Sequence, residues 1–200
     1  MKNPAPEPRP DRLLRTACDV IVDRGLANTR TVDVARAAGV SQSLVFYHFA
    51  TKEELLVKAF EYAAGQELAV LDALLSSSVA PLDKLRKLLR WYAPGSRSRS
   101  WALWIDGWSE SLRTPELARI CRRVDGRRRE ALTEIIEAGA AEAAFACDDP
   151  AAAAWRIGAL VDGLAVQAAT QHRVVTLRYL ADLARTGVAR ELGVAVERLA

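Results

Sequence analysis

Apolar positions recur at helical spacing along nearly the whole chain, and no stretch alternates for long enough to predict a strand. Over Asp11 to Arg24, Leu14, Ala17, Cys18 and Ile21 fall at i, i+3, i+4 and i+7, an amphipathic stripe that Gly25 brings to an end. A short helix is predicted to open on Thr31 as its N-cap, with Asp33 in the first turn to complement the helix dipole. Val34, Ala35 and Ala38 face inward in that helix, and Gly39 stops it. Ser41 is a second N-cap and starts a third helix over Gln42 to Phe49. Thr51-Lys52-Glu53-Glu54 reads as a capping box at the head of a long helix reaching Leu75.

Beyond that point the segments lengthen. Pro81, Pro115 and Pro150 each stand where a first helical residue would be, the last two behind the capping residues Thr114 and Asp149. The predicted helices run over 81–93, 99–113, 115–145, 149–171 and 174–191, with a polar loop from Pro94 to Ser100. The expected fold class is all-α. A disordered tail over 1–10 precedes a three-helix, helix-turn-helix DNA-binding domain over 11–57, and a helical body over 58–200 binds ligand and dimerises.

Composition narrows the classes. Half the chain is apolar, enough for a substantial core, yet no apolar run reaches the roughly 18 residues of a membrane span. The opening MKNPAPEPRP is polar and proline-rich with no apolar stretch behind it, so no secretory leader is expected. Cys18, Cys121 and Cys147 are odd in number and far apart, and the histidines are only His48 and His172. Neither a metal site nor a disulfide framework is expected, and a reducing cytoplasm fits. No paired-carboxylate or glycine-rich phosphate motif appears, and His172 has no evident nucleophile beside it, so neither an enzyme nor a cofactor is expected. The net charge of +3 permits a nucleic-acid partner without requiring one.

The local pattern is more specific. Two short helices joined by a glycine-containing turn, the second capped by serine, have the layout of a helix-turn-helix whose second helix enters the major groove. Gln42, Ser43 and Leu44 stand near the start of that helix, where base edges are met. An amide can pair bidentately with adenine, a hydroxyl can donate or accept, and a leucine can touch a thymine methyl. Tyr47, His48 and Lys52 suit phosphate oxygens, and Thr31 could add a hydroxyl contact.

The run from Thr31 to Leu55, TVDVARAAGVSQSLVFYHFATKEEL, resembles the DNA-binding signature of the TetR family. The likeness covers 11–57 and implies a homodimer reading an inverted repeat in double-stranded DNA, with a body that takes a small effector. It further implies a repressor that leaves its operator when the effector binds, although a ligand-independent or activating protein of the same fold would carry the same motif. One position departs from the family pattern. Where a tyrosine is usual this chain has Phe46, which is expected to serve the core only.

In the body, Trp101, Trp104, Ile105 and Trp108 share one helix face, with Asp106 and Glu110 nearby. Such a stripe serves equally as core or as the wall of a cavity; Trp91 and Trp155 are further lining candidates, as is Tyr92. Aromatic faces beside a carboxylate hold organic cations, and apolar pockets hold hydrophobic compounds. The tryptophan-rich segment followed by Thr114-Pro115-Glu116-Leu117 is similar to the C-terminal half of BetI-like members of the family. Arg122, Arg123, Arg127, Arg128 and Arg129 spread around their helix among acidic residues and read as a solvated surface. Small apolar residues dominate the last two helices, which are expected to build a four-helix dimer interface across a two-fold axis. Gly158 and Gly163 there mark either close packing or room for a ligand.

Overall fold

The computed structural model describes residues 10–93, 98–170 and 175–199, with the side chains of Ser98 and Arg99 excepted. Most of the expected tail, the loop core 94–97 and His172 lie outside the described residues. Those residues form nine α-helices and no strand: α1 Pro10–Arg24, α2 Thr31–Ala38, α3 Gln42–His48, α4 Lys52–Leu75, α5 Pro81–Tyr92, α6 Ser98–Ser111, α7 Pro115–Ala141, α8 Pro150–Thr170 and α9 Leu177–Glu191. A 3-10 turn, Val196–Leu199, follows them.

Local chemistry explains most of the boundaries. Ser41 caps α3 by accepting from the Leu44 N–H at 3.2 Å. The Thr51 hydroxyl accepts from the Glu54 N–H at 3.0 Å while the Glu54 carboxylate accepts from the Ala50 N–H at 2.8 Å, a reciprocal cap at the start of α4. Two expectations need correction. The N-cap of α2 is Arg30, not Thr31, which is already helical. Helix α7 stops at Ala141 instead of reaching 145, because Ala143 adopts a left-handed φ of 53° and the Ala144 and Phe145 N–H groups fold back onto the Gly139 carbonyl.

Two compact units result. The first takes in the chain up to Gln66 together with 103–121; the second takes in 67–102 and 122–200. The N-terminal unit is therefore not one continuous segment. Its core gathers Leu13, Ala17, Val20 and Ile21 of α1, Val34 and Ala38 of α2, Val45 of α3, Leu55 and Phe60 of α4, and Leu103 and Trp104 of α6. Leu13, not Leu14, is the innermost residue of the α1 stripe. Trp104 meets Phe60 edge-on at 6.1 Å, and Gly107 must be glycine there, since a Cβ would lie 2.5 Å from the Phe60 ring.

The C-terminal unit is built on Leu71, Leu85, Leu88, Leu132, Ile135, Ile136, Ile157 and Val161. Helices α8 and α9 pack closely, and the glycine that permits it is Gly187, whose Cβ would sit 2.3 Å from Leu160 Cδ2. Gly158 and Gly163 face open space instead.

Candidate nucleic-acid interface and effector cleft

In the N-terminal unit, Gly39 supplies the left-handed turn (φ 69°) between α2 and α3. Val45 and Phe49, one helical turn apart, are buried and anchor α3, so Gln42, Ser43, Phe46 and Tyr47 share the opposite, exposed face. Phe46 is 45% exposed and Tyr47 78%, which corrects the expectation that Phe46 serves the core only. Leu44 and His48 are half-buried, and the His48 Nε2 is enclosed without a hydrogen-bond partner.

Two expected contact residues have partners inside the unit. The Gln42 amide donates to the Thr31 hydroxyl at 2.9 Å, and Thr31 is itself buried. Thr31 thus holds the Gln42 side chain, leaving the second amide hydrogen and the carbonyl of Gln42 open. Lys52 is half-buried and donates to the Ala27 carbonyl at 3.3 Å. Sequence reasoning overlooked a cluster around buried Asp33, where Arg24, Arg30 and Arg36 approach to 3.4, 3.8 and 3.7 Å. The spacing Arg30-x-x-Asp33-x-x-Arg36 was its available signal.

The indole stripe of α6 divides. Trp104 is core against Phe60, and Trp108 is half-buried in the same N-terminal unit. Asp106, expected at the rim of a cavity, instead accepts from the Leu26 N–H at 2.7 Å and so ties α6 to the turn after α1. A cavity of about 210 Å³ lies alongside that turn, lined by Leu26, Lys52, Leu56, Glu110 and Leu117.

Trp101 belongs to the C-terminal unit, where it stacks on Tyr92 with ring centroids 5.5 Å apart and planes inclined by 25°. Trp91 is tilted against Tyr92 at 6.4 Å. The Arg128 guanidinium lies 5.2 Å from the Tyr92 ring centroid and 5.7 Å from that of Trp101. Arg128 is only 4% exposed and pairs with Glu67 and, at 3.2 Å, with Asp125. It is not part of a solvated surface, as its neighbours in sequence suggested. Burial opposes its charge, but Glu67 and the other acidic groups more than offset that and hold its pKa above the usual value.

Beside this network opens a cleft of about 130 Å³, walled by Tyr92, Asp125, Arg128, Arg129, Trp155 and Asp162 with Gly158 and Ala159 at its edge. The Tyr92 hydroxyl donates to Asp162 at 2.6 Å. Burial, and then the neighbouring Asp162 charge, push the Tyr92 pKa well above its ordinary value. Burial likewise raises Asp162 above the usual carboxylate range, against the lowering effect of the Tyr92 hydrogen bond. Trp155 is 61% exposed, and the Arg129 guanidinium sits 4.1 Å from its ring centroid. Of the six residues expected at a ligand, then, Trp155 lines the cleft, Trp101 and Trp91 flank Tyr92, and Trp104, Asp106 and Trp108 belong to the other unit. Arg129 and Asp162 were not foreseen as lining residues.

Among the described residues no cluster of His, Cys, Asp and Glu could hold a metal ion, and no helix is long and apolar enough to cross a membrane.

Two family descriptions match the chain: bacterial regulatory proteins of the tetR family over 13–59, and the C-terminal region of BetI-type transcriptional repressors over 81–193. The HTH-type transcriptional regulator BetI of Pectobacterium atrosepticum is 28% identical over 170 residues, covering 83% of this chain and 85% of that protein. CymR of Pseudomonas putida is 28% identical over 160 residues, 80% of this chain and 79% of that one. Among solved structures, a transcriptional regulator from Saccharomonospora viridis in complex with choline superposes with a TM-score of 0.84 at 25% identity, over 92% of this chain and 96% of that chain. A TetR regulator from Haloarcula marismortui shares the fold with a TM-score of 0.80 at 18% identity, over 92% and 97%.

Proposed function

The chain belongs to the TetR family of DNA-binding transcriptional regulators, and from that premise we propose that it is a dimeric repressor whose α3 helices read an inverted-repeat operator until a small effector fills the cleft of the C-terminal unit. The observation that carries the reading is the exposed face of α3: Gln42, Ser43, Phe46 and Tyr47 point away from the Val45 and Phe49 anchor.

In this reading Gln42, Ser43 and Leu44 meet base edges. Tyr47, His48 and Lys52 meet phosphates, joined by the exposed guanidiniums of Arg30 and Arg36. Thr31 acts through Gln42 by fixing its amide. Dimerisation would use α8 and α9, where exposed Leu177, Tyr179 and Leu183 lie on the outer helix. Two heads spaced about 34–36 Å apart would enter successive major grooves. Effector binding would alter that spacing through α4, which carries residues of both units. The choline held by the Saccharomonospora viridis protein makes a quaternary ammonium the natural first probe.

The test is selection of a preferred operator from random duplexes, followed by affinity measurements across a salt series. Gln42→Ala should relax preference at one base pair of each half-site. Lys52→Ala should weaken binding to all sequences and reduce the salt slope by about one. Preference for the selected operator of less than about tenfold over random DNA would refute the assignment as a regulator of specific sites.

A further inference from the structure

The charges around the cleft do not cancel in place. Arg128 has its carboxylates in Glu67 and Asp125. Asp162, by contrast, accepts only a neutral hydrogen bond, from Tyr92, and no cation of the described residues forms an ion pair with it. Arg129 is the reverse case: no carboxylate of the described residues pairs with its guanidinium, which rests on the face of Trp155. One wall thus presents an anion without a counter-cation and another a cation without a counter-anion, with an indole beside them.

Resting on the reading of this cleft as the effector site, we propose that its ligand is a small zwitterion, an ammonium carboxylate, and that Arg129 exchanges the Trp155 face for the ligand's carboxylate. The ammonium then takes the vacated indole and the Asp162 carboxylate, and the carboxylate takes the Arg129 fork. Each half of the ligand supplies the charge its wall lacks. A guanidinium suits the second task because its planar donors pair bidentately with a carboxylate. Indoles are the best aromatic partners for cations, so the face that holds Arg129 also suits an organic ammonium.

A simple monocation fits less well. To reach the indole it must displace Arg129 and leave that guanidinium without a partner, two like charges then sharing a cleft of about 130 Å³. A simple carboxylate would pair with Arg129 but face Asp162 unscreened. The charge pattern therefore selects for both signs in one molecule.

Glycine betaine and choline share the trimethylammonium group and differ in carrying a carboxylate or a hydroxyl, so they isolate the Arg129 contribution. Titration of the full chain by calorimetry is expected to give at least tenfold tighter binding of glycine betaine than of choline. Arg129→Gln should weaken glycine betaine at least tenfold and leave choline within threefold. Arg129→Lys, which keeps the charge but not the fork, should fall between. Asp162→Asn should weaken both ligands. Circular dichroism and thermal melts of each variant separate these effects from misfolding. Choline binding as tightly as glycine betaine, or an affinity ratio untouched by Arg129→Gln, overturns the zwitterion assignment while leaving the cleft as the effector site. Binding of neither ligand, or binding indifferent to both Asp162→Asn and Trp155→Ala, overturns the cleft itself.

Discussion

Asp162 is held at a cost. Its carboxyl is mostly enclosed between α5 and α8, and burial raises its pKa above the usual range although Tyr92 donates to it. A carboxyl whose folded pKa lies above its unfolded value releases its proton more readily when the chain unfolds. Its contribution to stability is therefore present at acid pH and fades as the pH rises through the folded value. Asp162→Asn keeps an acceptor for the Tyr92 hydroxyl and removes the charge. Thermal melts should show that variant to be more stable than the native protein at pH 7, with the difference shrinking as the buffer is taken below the ordinary carboxylate range. A lower melting temperature at pH 7 would mean that the negative charge itself stabilises the fold. Stability given up at a cleft is expected where the group is kept for a ligand. At this scale the sequence was only partly legible. The amphipathic face of α3 and its capping serine could be read directly, because both are periodic and local. That Arg128 turns inward while Arg127 and Arg129 do not depends on which residues of α4 and α5 come alongside, and nothing in the spacing of the arginines encodes it.

Helix α6 shows where periodicity runs out as a guide. Trp101, Trp104 and Trp108 share a face in sequence, as predicted, but they serve two cores: Trp101 stacks on Tyr92, and Trp104 meets Phe60. Five residues, or about 7.5 Å of helix, separate Trp101 from Asp106, which accepts from the Leu26 N–H. A hydrogen bond to a charged acceptor contributes about 1.5–3 kcal/mol, and here it fixes the turn that leads into α2. Asp106→Ala is accordingly expected to lower unfolding stability by that amount in urea titrations and to speed exchange of the Leu26 amide hydrogen. Asp106→Asn, which retains an acceptor oxygen, should recover much of the loss. Unchanged exchange at Leu26 in the alanine variant would remove Asp106 from this role. The helix boundaries were otherwise legible from serine and threonine caps and from proline at first positions. The exception, the early end of α7, arises because an alanine takes the left-handed conformation that a glycine would have announced.

At the level of the whole molecule, the N-terminal unit is completed by residues that arrive late in the chain. The sequence suggested a head ending near residue 57, because the signature motif ends there. The structure adds 58–66 and 103–121, supplying Trp104 for Phe60 and Asp106 for Leu26. A fragment comprising residues 10–66 is therefore expected to unfold without a cooperative transition and to bind operator DNA far more weakly than the full chain, as calorimetry and anisotropy would show. A sharp melt with full-chain affinity would establish the head as self-sufficient.

The bond between Leu26 and Asp106 spans 80 positions of sequence. During synthesis at roughly 5–20 residues per second, the first three helices exist for several seconds before their acceptor has been made. The nascent regulator passes through that interval with Phe60 lacking the indole that covers it, which makes it a natural client for a ribosome-bound chaperone. It also sets an order of events: grip on DNA can mature only once the ribosome has moved well into the part of the message that encodes the body.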